Sequence, residues 1–332
     1  MERNNKKIDF LHKNNLKDAK RIELKQDASH RKYERIVKDN GETLIFMDAP
    51  PAKEKVKQYI SVANFLRDNK LSAPEILTAD VENGFLLIED FGDSSYTKLL
   101  SGDIKLSDDI NEEIMYKKAI DTLVHLHQLP SDSASLSKYD DNMLVKESLR
   151  FIDFYIEVLN GDRISAALRE EFIVILKHLL SLTKTTSNVV VLRDYHADNL
   201  MWLEDREGHN KVGILDFQDA VIGTPVYDMV SLLEDARRDV PSKITEKMFS
   251  RYLHSFPNIS SKEFAASYAI YGVQRNLKIV GVFARLATLH KNRSYLFLLP
   301  RVWRHINNDL RHPLLLPLKN WLQKVVPMQL KI

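Results

Sequence analysis

The sequence holds no cysteine in 332 residues. That single absence removes disulfides, thiolate catalysis, zinc ribbons and iron–sulfur clusters together, and it suits a reducing compartment. No apolar run approaches the length of a bilayer span, and the opening residues, MERNNKKIDFLHKNNLKDAK, lack the apolar segment of a secretory signal. Neither sign of charge prevails: 48 basic residues face 46 acidic ones, for a formal charge of +2. A field that weak does not argue for nucleic acid or a membrane surface. There is no internal repeat and no low-complexity segment. These absences lead to the expectation of a cytoplasmic monomer that binds neither nucleic acid nor membrane, with its partners to be argued from local features.

The length is too great for a comfortable single core and suits two lobes. The Lys- and Asn-rich start is expected to be a frayed terminus. From Arg21 to Ala49 the segments RIELKQD, RKYERIVKD and TLIFMDA read as strands, with Asp39-Asn40-Gly41-Glu42 as a hairpin signal. After Pro50-Pro51, Val56, Tyr59, Ile60, Ala63 and Leu66 recur at helical spacing. EILTAD and FLLIED then add two strands around Glu82-Asn83-Gly84. A change of composition at FGDSSYTKLLSGDIKLSDD reads as a connector ending in a helix cap at Ser107 or Asp108. The chain is therefore divided at residue 90 into an N-terminal lobe, 1–90, and a C-terminal lobe, 91–332. Beyond the connector, helical periods cover roughly 109–129, 146–159 and 165–182 and resume toward the end. The expected class is α+β, a small antiparallel sheet lobe followed by a larger, mainly helical one.

Inside the helical region lies one β island, and it carries the chemistry. VVVLR, LMWL and VGILD read as three neighbouring strands, interrupted by Asp194, His196 and Asn199 and followed by Asp216 and Asp219. Phosphoryl transfer asks little covalent work of a protein: a carboxylate to take the hydroxyl proton, and hard oxygen donors to hold magnesium against the phosphates. Asp194 and Asn199 have the Asp-x-x-x-x-Asn spacing of a kinase catalytic loop, preceded by Arg193, and Asp216-Phe217 matches the start of an Asp-Phe-Gly metal motif. Either half alone is weak. In this order, one hairpin apart, they form a strong signal. Most loop aspartates cap turns, and that bland reading is retained for Asp198, expected to be simply solvated. His125 and His127, two apart on a helix, do not face one point and are no metal pair.

LRDYHADNLMWL with VGILDFQDAVIGTPVYDM resembles the aminoglycoside phosphotransferase branch of the kinase-like fold, whose loop follows a His-Gly-Asp-x-His-x-x-Asn pattern. Leu192 stands where that pattern has its first histidine. DASHRKYERI, LIFMDAPP, GFLLIEDFGD, QRNLKIVGVFARL and YLFLLPRVW further resemble bacterial anomeric kinases of N-acetylmuramate and N-acetylglucosamine. The resemblance implies a protein-kinase-like fold with ATP and magnesium bound between lobes. It implies Asp194 as base, Asn199 and Asp216 as metal ligands, Asp219 as a supporting acid, and Arg193, His196 and Asp228 as loop supports. The implied reaction is phosphorylation of an amino sugar at its anomeric hydroxyl, in cell-wall sugar recycling. Rival readings are another small-molecule kinase, acting on an aminoglycoside, choline or a different sugar, and a pseudokinase that binds nucleotide without turnover.

The best argument for the pseudokinase is a missing residue. Where a kinase carries a lysine on its third strand, TLIFMDAPP has Met47-Asp48. The segment from Asp27 to Lys32 lies where a phosphate-covering loop would sit, so Ser29, Arg31 and Lys32 are candidates for the nucleotide. Backbone groups around Glu89, from Ile88 to Asp90, are expected to meet the adenine edge. Between Phe264 and Asn308 there are basic residues and no acids. From this stretch Arg275 is the candidate for a substrate contact, because arginine grips a carboxylate bidentately.

Overall fold

The computed structural model describes residues 2–24, 30–131, 134–183 and 188–326. Its elements run α1 (Glu2–Lys13), β1 (Lys20–Glu23), β2 (Lys32–Val37), β3 (Thr43–Asp48), α2 (Val56–Asp68), β4 (Ile76–Asp80), β5 (Phe85–Glu89), α3 (Tyr96–Ser101), α4 (Glu112–Gln128) and α5 (Asp141–Arg150). A π-helical stretch, Phe151–Leu159, extends α5, and α6 (Ala166–Ser181), β6 (Val189–Val191), β7 (Leu200–Trp202), β8 (Val212–Ile214) and β9 (Val221–Gly223) follow. The rest is helical: α7 (Val226–Leu233), α8 (Ser242–Ser255), α9 (Ser261–Thr288), α10 (Leu299–Asp309) and α11 (Leu316–Val325). The class is α+β, a small antiparallel sheet at the N-terminus with a helical remainder, as the sequence led us to expect. No helix among the described residues is long and apolar enough to cross a membrane.

By contacts the chain forms two compact units, Met1–Thr122 with Ala197–Ala220, and Leu123–His196 with Val221–Ile332. The expected break at residue 90 concerns what each part handles rather than contacts, and it is taken up below as a proposal.

The first unit holds the five-stranded sheet, ordered β1-β2-β3-β5-β4 and antiparallel throughout. Successive side chains of a strand point to opposite faces, and the two faces differ in use. Ile36, Phe46, Phe85 and Leu87 pack with Phe10, Leu11 and Leu16, so α1 and the turn after it cover one face. The rings of Phe10, Phe46 and Phe85 lie 5.6–6.0 Å apart. Burying a phenylalanine is worth about 1.5–3 kcal/mol, so this cluster is a substantial part of the unit's stability. Arg3 donates to Asp48 (Nε, 2.9 Å) and to the Asn83 carbonyl, and Lys7 pairs with Glu34. The expected frayed terminus is thus a helix docked on the sheet. Polar composition hid it, because few apolar residues suffice for a helix buried on one side. The expected connector likewise contains α3, capped by Ser95, whose side chain accepts from the Lys98 amide, and ended by Gly102 in the left-handed region. The α4 cap is Asn111, whose side chain accepts from the Ile114 amide, rather than Ser107 or Asp108.

The β island also differs from expectation. β7 pairs with β8 in the first unit, while β6 pairs with β9 in the second. What read as three neighbouring strands is two separate ribbons, because β9, hidden in AVIGT, supplies the partner for VVV.

The second unit is built on α9, which packs against α5, the π-helical stretch, α7 and α10. Close approach is set by Gly281: a Cβ there would lie 2.3 Å from the Arg150 carbonyl carbon. Gln274, buried on the same helix, donates to the Leu144 carbonyl (2.9 Å) and to Ser148 (3.1 Å), fastening α9 to α5.

Candidate active site

In the first unit, the sheet face away from α1 borders a cavity of about 380 Å³. Period-two alternation brings Arg31, Tyr33 and Arg35 from β2 and its approach to this face, with Ile45 and Ile88 from the neighbouring strands. Phe91, Met201, Leu215, Asn199 and Asp216 line it from the connector and the β7–β8 ribbon. Apolar walls with a few convergent polar groups are what a small-molecule site needs.

The polar end of the cavity is organised around Arg31. Its guanidinium reaches Asp216 (2.6 Å), Gln218 (2.5 Å) and Glu54 (3.5 Å) and is almost wholly buried. Burial disfavours its charge, yet Tyr33, Asp216 and Glu54 outweigh that and hold its proton more firmly than usual. Gln218 also donates to Asp216 (3.1 Å) and Asp219 (3.2 Å). Asp216 has a left-handed φ of 57°, and its side chain is 39% exposed, accessible to a cation. Asn199 and Asp216 therefore offer an amide and a carboxylate oxygen to one cavity, hard donors of the kind magnesium accepts beside phosphate oxygens. The main chain ties the two together, since the Leu215 amide donates to the Asn199 carbonyl at 2.9 Å.

Other candidates fall elsewhere. Lys32, out of step with Arg31 and Tyr33, stands exposed opposite Asp48, and the structure does not bring it to the cavity. Asp48, at the end of β3, is occupied with Arg3. Arg35 is committed to Asp90 (2.6 Å) and Asp93 (2.9 Å), pinning the turn after β5. Glu89 borders the cavity, but its carboxylate is held by Arg67 and Arg206 and its amide donates to the Glu75 carbonyl (2.8 Å). An adenine edge near residues 88–90 would need other main-chain groups. Ser29 lies outside the described residues. Asp198, expected to be solvated, instead accepts from Thr97, tying the turn Ala197–Asn199 to α3.

In the second unit, the strand β6 ends and the chain turns sharply at Arg193, whose φ is 73°. The fully buried Asp228 accepts the amides of Leu192 (2.7 Å) and Arg193 (2.8 Å), and Ser231 donates to the Arg193 carbonyl (3.0 Å). Burial pushes the Asp228 carboxyl up to about 7 despite those two donors. Arg193 itself pairs with the buried Glu147 and lies over the Tyr139 ring at 4.9 Å. Asp194 follows, partly exposed. Burial raises its carboxyl, but Lys278, His196, Arg193 and Arg275 outweigh this and hold it below the usual carboxylate range. A carboxylate so placed is ionised at neutral pH and ready to accept a proton. His196 is buried, and that burial outweighs Asp235 and Asp194 and lowers the pKa of its imidazole. Arg275 is buried and donates to Ser231 (2.8 Å), so its guanidinium braces the loop from behind. Glu147, Ser231, Lys278 and Gln218 were not found by reading the sequence. Lys278, in the acid-free stretch, was the one with a visible signal.

Three comparisons bear on this arrangement. The model of the phosphotransferase enzyme family matches residues 20–262. An N-acetylmuramate/N-acetylglucosamine kinase of Caulobacter vibrioides is 32% identical over an alignment covering 99% of this chain and 98% of that protein. One of the same name from Pseudomonas putida is 31% identical over 85% of this chain and 80% of its own. Among solved structures, a choline/ethanolamine kinase family protein from Mesorhizobium loti superposes with a TM-score of 0.63 at 11% identity, over 96% of this chain and 99% of that one. The GDP complex of aminoglycoside 2'-phosphotransferase-IIIa does so with 0.62 at 13% identity, over 93% and 100%. At such identities these two speak for the fold alone. By the family match and the end-to-end relatives, the chain belongs to the phosphotransferase enzyme family and transfers phosphoryl groups to a hydroxyl acceptor.

Proposed function

We propose that this protein is an ATP-dependent kinase that phosphorylates the anomeric hydroxyl of N-acetylmuramate and N-acetylglucosamine. The observation that carries the reading is the end-to-end similarity to kinases bearing that name, at 32% identity for the first. The local geometry supports it. Bound ATP with a divalent cation supplies the phosphoryl group and disperses its charge. Asn199 and Asp216 would hold the cation, and the cavity beside Ile45, Ile88 and Phe91 would take the base. Arg31, now paired with Asp216, would supply the positive charge that β3 lacks. Asp194 accepts the proton of the sugar hydroxyl as the sugar oxygen bonds to the γ-phosphorus and the bond from that phosphorus to ADP breaks. An anomeric hydroxyl is more acidic than an ordinary alcohol, so a carboxylate base is adequate. Residues 1–90 supply the sheet side of nucleotide binding, and the segment 91–332 supplies the metal ligands, the base and the sugar site. The reaction belongs in the cytoplasm, where ATP is, as a step in reuse of cell-wall sugars.

The test is a substrate screen with ATP and magnesium over N-acetylmuramate, N-acetylglucosamine, glucose, choline and kanamycin, with phosphate position read by NMR. The expected product is the 1-phosphate of the two N-acetylated sugars. Transfer to choline or kanamycin alone would replace the substrate assignment, and transfer to none would remove the reading. Asp194→Asn should abolish turnover while the protein stays folded.

A further inference from the structure

Arg193 occupies a conformation that an arginine does not choose. At a φ of 73° a side chain crowds the following carbonyl, a strain that glycine does not carry. Two of the contacts that keep it there use the main chain, the amide to Asp228 and the carbonyl from Ser231. Any residue could make them. The contact that depends on the arginine is its pairing with Glu147, with the guanidinium over the Tyr139 ring.

Glu147 is only 6% exposed, and its second oxygen takes Lys278 Nζ at 3.0 Å together with the Tyr139 hydroxyl. Lys278 in turn reaches the Tyr227 hydroxyl at 3.2 Å. A buried ion-pair cluster of this kind is poorly explained by stability, since apolar residues of similar volume commonly do as well or better. Its value lies in fixing a geometry. Here the residue being fixed immediately precedes Asp194, and the carboxylate that fixes it also gathers the nearest lysine of α9.

We propose that Glu147 is a positioning residue for phosphoryl transfer: by gripping the Arg193 side chain it keeps that residue left-handed and so sets the direction in which Asp194 leaves the loop. The proposal rests on the reading of Asp194 as the base. Glu147 itself touches neither sugar nor nucleotide. It acts through Arg193, and its removal lets the backbone relax toward an ordinary conformation that carries Asp194 away from its acceptor.

The experiment compares two replacements of Arg193 in a Glu147→Gln background, in the full-length chain with the sugar it turns over. Glu147→Gln alone should lower kcat about tenfold or more, with KM for the sugar within about threefold, because the loss is of alignment rather than of binding. Adding Arg193→Gly should then give a kcat about fivefold or more above that obtained by adding Arg193→Ala. Both delete the charge, but only glycine is relieved of left-handed strain. Equal kcat for the two double variants overturns the proposal, as does a Glu147→Gln effect confined to KM. If Glu147→Gln does not fold by circular dichroism, Glu147→Asp takes its place, keeping the charge while drawing it back. The same pair of Arg193 replacements is then added, and equal kcat for the two again overturns the proposal. Asp194→Asn with turnover intact would instead sink the base assignment beneath it.

Discussion

The carboxylate of Asp228 and the main chain of Arg193 form one unit: Asp228 accepts the Arg193 amide at 2.8 Å and that of Leu192 at 2.7 Å, so both oxygens are spent on the loop. Asparagine has one acceptor oxygen and an amide group that opposes the second donor. Asp228→Asn should therefore lower kcat about tenfold to a hundredfold, on the scale of one lost hydrogen bond to a charged group. Steady-state kinetics beside a thermal melt check this, and an unchanged kcat would show that the loop holds itself.

Arg31 spans Asp216, Gln218 and Glu54, where β3 provides no cation. Arg31→Met should weaken magnesium–ADP binding about tenfold or more by calorimetry, with Arg31→Lys recovering part of it. Affinity equal to that of the native chain would take the nucleotide role from Arg31.

For Asp194 the pH argument has a definite sign. Its carboxyl lies below the ordinary range because Lys278, His196, Arg193 and Arg275 together outweigh burial. As the proposed base, Asp194 works deprotonated, so its contribution is lost as pH falls through that lowered value. Lys278→Met removes one of the opposing charges and should move the acid limb of kcat/KM to higher pH. A limb that stays in place would exclude Lys278 as the main counter-charge.

Glu234 is buried beside Asn276, to which it is bonded at 2.6 Å, and burial pushes its carboxyl up to about 7. Asp309 is raised as well, by burial and by Glu234. A folded-state value above the unfolded one means that the folded protein holds more protons. Stability is then greatest below the unfolded carboxyl range and declines as pH rises toward 7. Melting temperature should fall from pH 5 to 8, and Glu234→Gln should flatten that fall, with Asp309 and the similarly raised Asp228 left to supply the remainder. An equal slope in the variant would place the titration elsewhere.

Much of the proposed chemistry is readable in the sequence because it is written in spacing. Asn199 stands five positions after Asp194, and Asp216 follows one hairpin later, a pattern that composition cannot disguise. The sheet was legible for a similar reason, since β2, β3 and β5 alternate or run apolar around clear turn signals. What escaped was set by partners distant in sequence. Whether Lys32 or Arg31 faces the cavity depends on the parity of β2, and the true partner of β6 lies 30 residues downstream as a strand of only three residues, Val221–Gly223. Arg275 is a candidate for the substrate because its charge is visible in sequence, whereas the Ser231 that engages it inside the fold is not.

The docking of α1 bears on how the protein can be handled at the bench. The family match spans residues 20–262, and trimming to those limits would strip Phe10 and Leu11 from the sheet, baring Phe46 and Phe85. It would also sever α9 almost at its first residue, taking Lys278 and Arg275 with it. Such a fragment is expected to aggregate on expression, and an affinity tag belongs on a flexible spacer ahead of Arg3 so that the helix can still seat.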